Sequence, residues 1–106
     1  MANYLLVYHG GGPMPTSPEE GAKVLAAWSD WFGTLGSALV DGGNPASLVK
    51  SIGSDGTVRD GTVNPPTGYS IIRADGIDAA VGLARGCPLL AGGAASIEVV
   101  ETVDTM

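Results

Sequence analysis

The single histidine of this chain stands in "YHGGGPMPTSPEE", residues 8–20, between the end of an apolar run and the start of a helix. An imidazole is the side chain best matched to proton transfer near neutral pH, which makes His9 the candidate catalytic residue. Three glycines follow it, Gly10 to Gly12. His-Gly-Gly-Gly after a strand builds oxyanion holes in esterases, and a glycine-rich turn between strand and helix can cradle a phosphate. Neither chemistry fits. There is no G-x-S-x-G nucleophile elbow and no second histidine to act as base. The glycine spacing runs Gly10, Gly12 and then Pro15, so the third glycine of a dinucleotide-binding turn is missing. No P-loop occurs, and one histidine with one distant cysteine makes no metal cluster. No metal or cofactor is therefore expected. His9 is left as an acid/base group, or as a scaffold residue bonded to a loop carbonyl. Asp41, Asp60, Asp75 and Asp78 are its possible acidic partners, and spacing does not select among them. Asp75 also reads as a helix cap and Asp41 as a turn residue.

Three other residues are candidates for ligand binding, each with a structural alternative. Trp28 sits on a helical stripe, where it either fills the core or lines a cleft between helix and sheet. Asn44, before Pro45, forms a turn or offers its amide to a ligand. Tyr69 belongs to an interface or to a site. Cys87, before Pro88, reads as a buried helix-end residue with nothing nearby to activate it.

These residues have to be positioned by a short chain. Its 106 residues suffice for one domain spanning 1–106, 44% hydrophobic and rich in turns with 17 glycines. The net charge is −6, and the five basic residues, Lys23, Lys50, Arg59, Arg73 and Arg85, are scattered. No patch exists to neutralise a phosphate backbone, so neither nucleic acid nor an anionic membrane is an expected partner. The first apolar run is too short for a signal segment or a membrane span, and a lone cysteine suits a reducing compartment. The expected setting is cytoplasmic.

"YLLVY", residues 4–8, predicts a strand buried on both faces rather than half exposed. "TSPEE" predicts a helix start with Ser17 as N-cap, Pro18 at N1 and Glu20 closing a capping box. Val24, Trp28, Trp31, Leu35 and Leu39 continue at helical spacing, with Leu25 and Phe32 widening the face, up to a stop before Asp41-Gly42-Gly43. "NPASLVKSI" (44–52) predicts the second strand, and 53–61 a hairpin excursion. "NPPTG" reads as non-strand because its prolines remove ladder donors. "YSIIRA" (69–74) predicts the third strand. A short helix follows, capped by Asp75, with Ile77, Val81 and Ala84 inward and Gly86 and Pro88 ending it. "SIEVVETV" (96–103) predicts the last strand. The order β-α-β-β-α-β is the ferredoxin-like arrangement, an α+β fold with a four-stranded antiparallel sheet. Both helices cover one face, and the other carries too many apolar residues, Tyr69 and Ile71 among them, to be left in water. A homodimer joined sheet against sheet is the expected solution.

Read together, "YLLVYHGG", "AAWSDWFGTLGSALVDGGNP", "TGYSII" and "LARGCPLLAGGAASIEVVE" resemble the YCII-related family, in the branch near the DGPF-domain proteins. The likeness runs from Tyr4 to Glu101 and rests on the order and context of these segments. It implies a ferredoxin-like fold assembled as a dimeric α/β barrel, with a cleft for a small organic molecule. For activity it implies a cofactor-free isomerase or lyase, with a non-catalytic ligand-binding or interaction module as the alternative. Some YCII-like proteins carry a first-helix histidine and a nearby aspartate as a proposed acid/base dyad. Here Trp28 stands in that region, and "DGTVNPPTGYS" replaces the DGPF signature. His9, from a different element, is the residue left for proton transfer.

Overall fold

The apolar run at residues 4–8 becomes the middle of strand β1 (Ala2–Gly10), in which Tyr4, Leu6 and Tyr8 are buried and Leu5 and Val7 only partly so. That alternation sorts the strand's two faces. The computed structural model describes residues 1–11 and 16–104, so Gly12, Pro13, Met14 and Pro15 of the opening stretch lie outside the described residues. After β1 come α1 (Pro18–Leu35), β2 (Leu39–Asp41), β3 (Lys50–Ile52), β4 (Val58–Asp60), β5 (Pro66–Ala74), α2 (Ile77–Ala84) and β6 (Ala95–Glu101). One sheet has the order β2-β5-β1-β6 with every neighbour antiparallel, and β3 and β4 form a separate two-stranded hairpin. The result is an α+β domain with a four-stranded antiparallel sheet and two helices, compatible with a ferredoxin-like fold.

The α1 start follows the sequence signal. Ser17 accepts the Glu20 backbone N–H at 3.1 Å and Pro18 occupies the first turn, but the Glu20 carboxylate takes the backbone N–H of Thr16 rather than that of Ser17. The helix ends earlier than the apolar stripe implied. Gly36, at φ 55°, closes it by donating to the Phe32 carbonyl. Leu39 therefore belongs not to α1 but to β2, which pairs with β5 and supplies the sheet's outer strand. Residues 44–52 do not form that strand. Their last three enter the hairpin, with Lys50 opposite Asp60 and Ile52 opposite Val58. The prolines also exclude less than expected. β5 begins at Pro66, because a proline can open a strand where no ladder donor is needed.

The core lies on one side of the sheet. Tyr4, Leu6 and Tyr8 of β1 and Ile72 and Ala74 of β5 pack with Trp31 and Leu35 of α1, Ala80 and Ala84 of α2, and Cys87. Two details of α2 differ from the sequence reading. Its N-cap position is Gly76, without a side-chain cap, so Asp75 does not cap it. Its buried residues are Ala80 and Ala84, while Ile77 is exposed, because small side chains at i and i+4 let the short helix sit close on the sheet. On the opposite face, Leu5 pairs with Ile71 and Val100, and Val7 with Tyr69. None of these residues belongs to the core cluster, and Val100 is 42% exposed.

The β3–β4 hairpin stands away from this body, which raises the radius of gyration to 15.3 Å against about 13 Å for a compact chain of this length. At its tip Ile52 and Val58 are 73% and 55% exposed. The backbone N–H of Gly61 donates to the Val49 carbonyl at 2.8 Å, so the hairpin's root is already closed. Deleting residues 50–60 and joining Val49 to Gly61 through an Asn-Gly turn is expected to change the unfolding free energy by no more than about 1 kcal/mol. Chemical denaturation tests this, and loss of the cooperative transition would show that the hairpin is part of the folding unit.

Candidate functional site

Val24, Trp28 and Phe32 recur every four residues on α1 and so share one stripe of the helix. With Leu25 they form one wall of an open cleft of about 320 Å³. Tyr8 of β1 lies at the base, residues 42–45 after β2 form the facing wall, and Thr67, Tyr69 and Leu89 complete the lining. The aromatic rings meet at steep angles. Tyr8 and Trp28 are 5.5 Å apart at 69°, and Trp28 and Phe32 5.8 Å apart at 60°, both edge-on arrangements. Trp31 meets Trp28 edge-on at 5.7 Å and is held in the core by its indole N–H, which donates to the Leu83 carbonyl at 3.2 Å.

The facing wall is pinned to the sheet by its backbone. Asp41 accepts the Gly43 N–H at 2.8 Å, Ala46 donates to the Thr67 carbonyl at 3.0 Å, and Pro45 bridges to Gly68. Gly43 has φ 74°, and a Cβ there would lie 1.7 Å from the Tyr69 carbonyl oxygen. Beneath the cleft, the Tyr8 hydroxyl donates to Ser70 Oγ at 2.7 Å, and Ser70 donates to the Gly42 carbonyl at 2.7 Å. This relay joins β1, β5 and the loop.

Burial pushes the Tyr8 phenol well above its usual range, opposed only in part by Ser70, and burial likewise raises the neighbouring Cys87 thiol. Both groups therefore stay neutral at physiological pH. Because the folded pKa of Tyr8 exceeds the unfolded value near 10, its contribution to stability is intact below pH 10. Above that value the unfolded chain ionises first and stability falls, by about 1.4 kcal/mol per pH unit for the one group. Tyr8→Phe should accordingly show a shallower loss of unfolding free energy than the parent between pH 10 and 11. Equal slopes would place the phenol in water.

The structure brings Trp28, Asn44 and Tyr69 to one place, since all three line the cleft. Asn44 is exposed at the rim, and Tyr69 joins where Gly43 crosses its carbonyl. His9 is elsewhere and does not line the cleft. It is on the open sheet face, next to Glu98, which is in register with Val7. The imidazole side chain is 8% exposed and that of Glu98 64%. Nδ1 faces the Pro65 carbonyl at 3.3 Å and Nε2 contacts the Glu98 carboxylate. Both ring nitrogens thus have a hydrogen-bonding partner. No ring nitrogen is left pointing at a free volume.

The partner of His9 is thus a glutamate. Of the aspartates named from the sequence, Asp41 holds Gly43 and Asp60 pairs with Lys50. Only the register of β6 against β1 reveals Glu98, and spacing alone does not give that register. Gly10 serves a close backbone approach, since a Cβ on it would meet the Ala94 carbonyl at 2.6 Å. Among the described residues, no cluster of three or more His, Cys, Asp or Glu could hold a metal ion, and no helix is long and apolar enough to cross a membrane. In comparisons with known proteins, no family model matches the chain and no curated protein matches it significantly.

Proposed function

We propose that this chain is a ligand-binding module of the YCII-related kind that holds a small organic molecule in the cleft between α1 and the sheet. The observation that carries this reading is the cleft itself: about 320 Å³, lined by Tyr8, Trp28 and Phe32, with Asn44 exposed at its rim. Such a volume is at the small end of the range for ligand sites, about 300–1,000 Å³, and a mostly apolar lining with a few polar groups is their usual chemistry. The described lining holds no Asp, Glu, His, Lys, Arg or Cys, and burial keeps the Tyr8 phenol neutral, which favours binding over acid/base catalysis there.

A homodimer formed through the open sheet face, completing a dimeric α/β barrel, belongs to the same reading. Its support is the row Leu5, Val7, Ile71 and Val100, which the chain's own core does not use. The scattered basic residues and the lone Cys87 support a cytoplasmic protein without nucleic-acid or membrane partners. The enzymatic alternative, an isomerase or lyase with His9 as acid/base, is favoured by one observation, the contact with Glu98. That chemistry would occur on the open face rather than in the cleft.

Titrating aromatic probes against intrinsic fluorescence tests the leading reading. Trp28→Ala should weaken binding at least about tenfold, because it removes the central ring of the wall. Unchanged affinity in that variant would place the ligand elsewhere.

A further inference from the structure

Among the described residues no charged side chain lines the cleft. The whole chain carries 11 acidic against 5 basic residues. An anionic ligand would find no counter-charge in the lining and would approach against the field of the protein. Three aromatic rings, in contrast, line it: Tyr8, Trp28 and Phe32, in edge-on contact at 5.5 and 5.8 Å. Aromatic rings clustered around a partly enclosed volume without basic groups suit a weakly hydrated cation, which is the chemistry of quaternary ammonium recognition.

Accordingly, we infer that the cleft selects a small organic cation, an alkylated ammonium group on an apolar or aromatic body, over neutral and anionic molecules of the same shape. The inference rests on the reading of the cleft as a ligand site and adds the sign of the ligand's charge. The ammonium head would sit against Trp28 and its neighbouring rings. The apolar body would lie along Val24 and Leu25, with Asn44 at the rim to take a polar substituent.

Calorimetric titration of the full chain with three probes of matched shape tests this: meta-trimethylammoniophenol, the neutral meta-tert-butylphenol, and meta-tert-butylbenzoate. The cation is expected to bind about tenfold more tightly than its neutral isostere, in line with a partly desolvated cation–π contact, and the anion most weakly. The preference should persist in about 1 M salt, where the screening length is only about 3 Å, because the contact is short-range. In Trp28→Leu, which keeps an apolar wall, the neutral probe should still bind and the preference for the cation should fall to within about threefold. Equal or tighter binding of the neutral probe by the parent protein overturns the charge selection while leaving the cleft a ligand site. A preference that vanishes in high salt also overturns it, as attraction to the acidic surface. If none of the three probes binds, the ligand-site reading fails and takes this inference with it.

Discussion

Gly43→Ala is expected to destabilise the protein by about 3 kcal/mol or more, a large share of the stability of a small domain. Two penalties coincide at this position. Its φ of 74° is unfavourable for any residue with a Cβ, and the added atom would lie 1.7 Å from the Tyr69 carbonyl oxygen. The obstacle is backbone of a sheet strand and not the end of a flexible side chain, so relief requires lifting residues 42–45 off β5. That movement would also open the cleft wall and strain the Ser70 bond to the Gly42 carbonyl. Gly93→Ala is the control. It has nearly the same φ, 73°, but no described residue beyond its chain neighbours comes within 4 Å of the added Cβ, and it should lose only about 1–2 kcal/mol. Denaturant unfolding of the two variants separates steric from conformational penalties; similar losses in both would mean that the loop does not press on β5.

If the open sheet face carries the proposed dimer, Ile71→Lys should yield a monomer, halving the mass in light scattering to about the 10.6 kDa of one chain. Ile71 sits mid-strand on the open face, in register with Leu5 on one side and Asp41 on the other. In a sheet-to-sheet dimer its substitution would leave two lysines facing each other in an apolar layer, a penalty of several kcal/mol. In the free chain the same side chain reaches water, so the monomer should remain folded. A parent protein that is monomeric, or a variant that remains dimeric, would remove this face from the assembly.

The parts of this protein legible in its sequence are those governed by local physics. Ser17 and Pro18 set the α1 start by capping, and the short apolar run "YLLVY" marks β1, although only its Tyr4, Leu6 and Tyr8 face is fully buried while Leu5 and Val7 on the other face are partly so. Local pattern misleads where distant pairing outweighs it. Leu39 keeps the helical period of Trp28 and Leu35, yet Gly36 breaks the helix and Leu39 pairs with Ile72. Residues 44–52 have strand-like composition, but the edge of β5 is taken by Leu39–Asp41 and then by the Pro45–Gly68 bridge, so their apolar residues extend into the hairpin instead. For the site, helical spacing placed Trp28 on the α1 face that lines the cleft. It did not reveal that His9 points to the other side of the sheet, because a strand's two faces are one residue apart and their assignment depends on register.

The response of the side chains to a bound molecule tests the cleft most directly. In a nitrogen–proton correlation spectrum the two indole N–H groups report separately, one from Trp28 in the cleft wall and one from Trp31, bonded to Leu83 in the core. Titration with meta-trimethylammoniophenol and its neutral isostere should shift the Trp28 indole and the amides of Gly43 and Asn44. The His9 ring and the amides of Val7 and Ile71 should stay in place. Shifts centred on His9, Glu98 and the open face, with Trp28 unmoved, would contradict the account and transfer the site to the other side of the sheet.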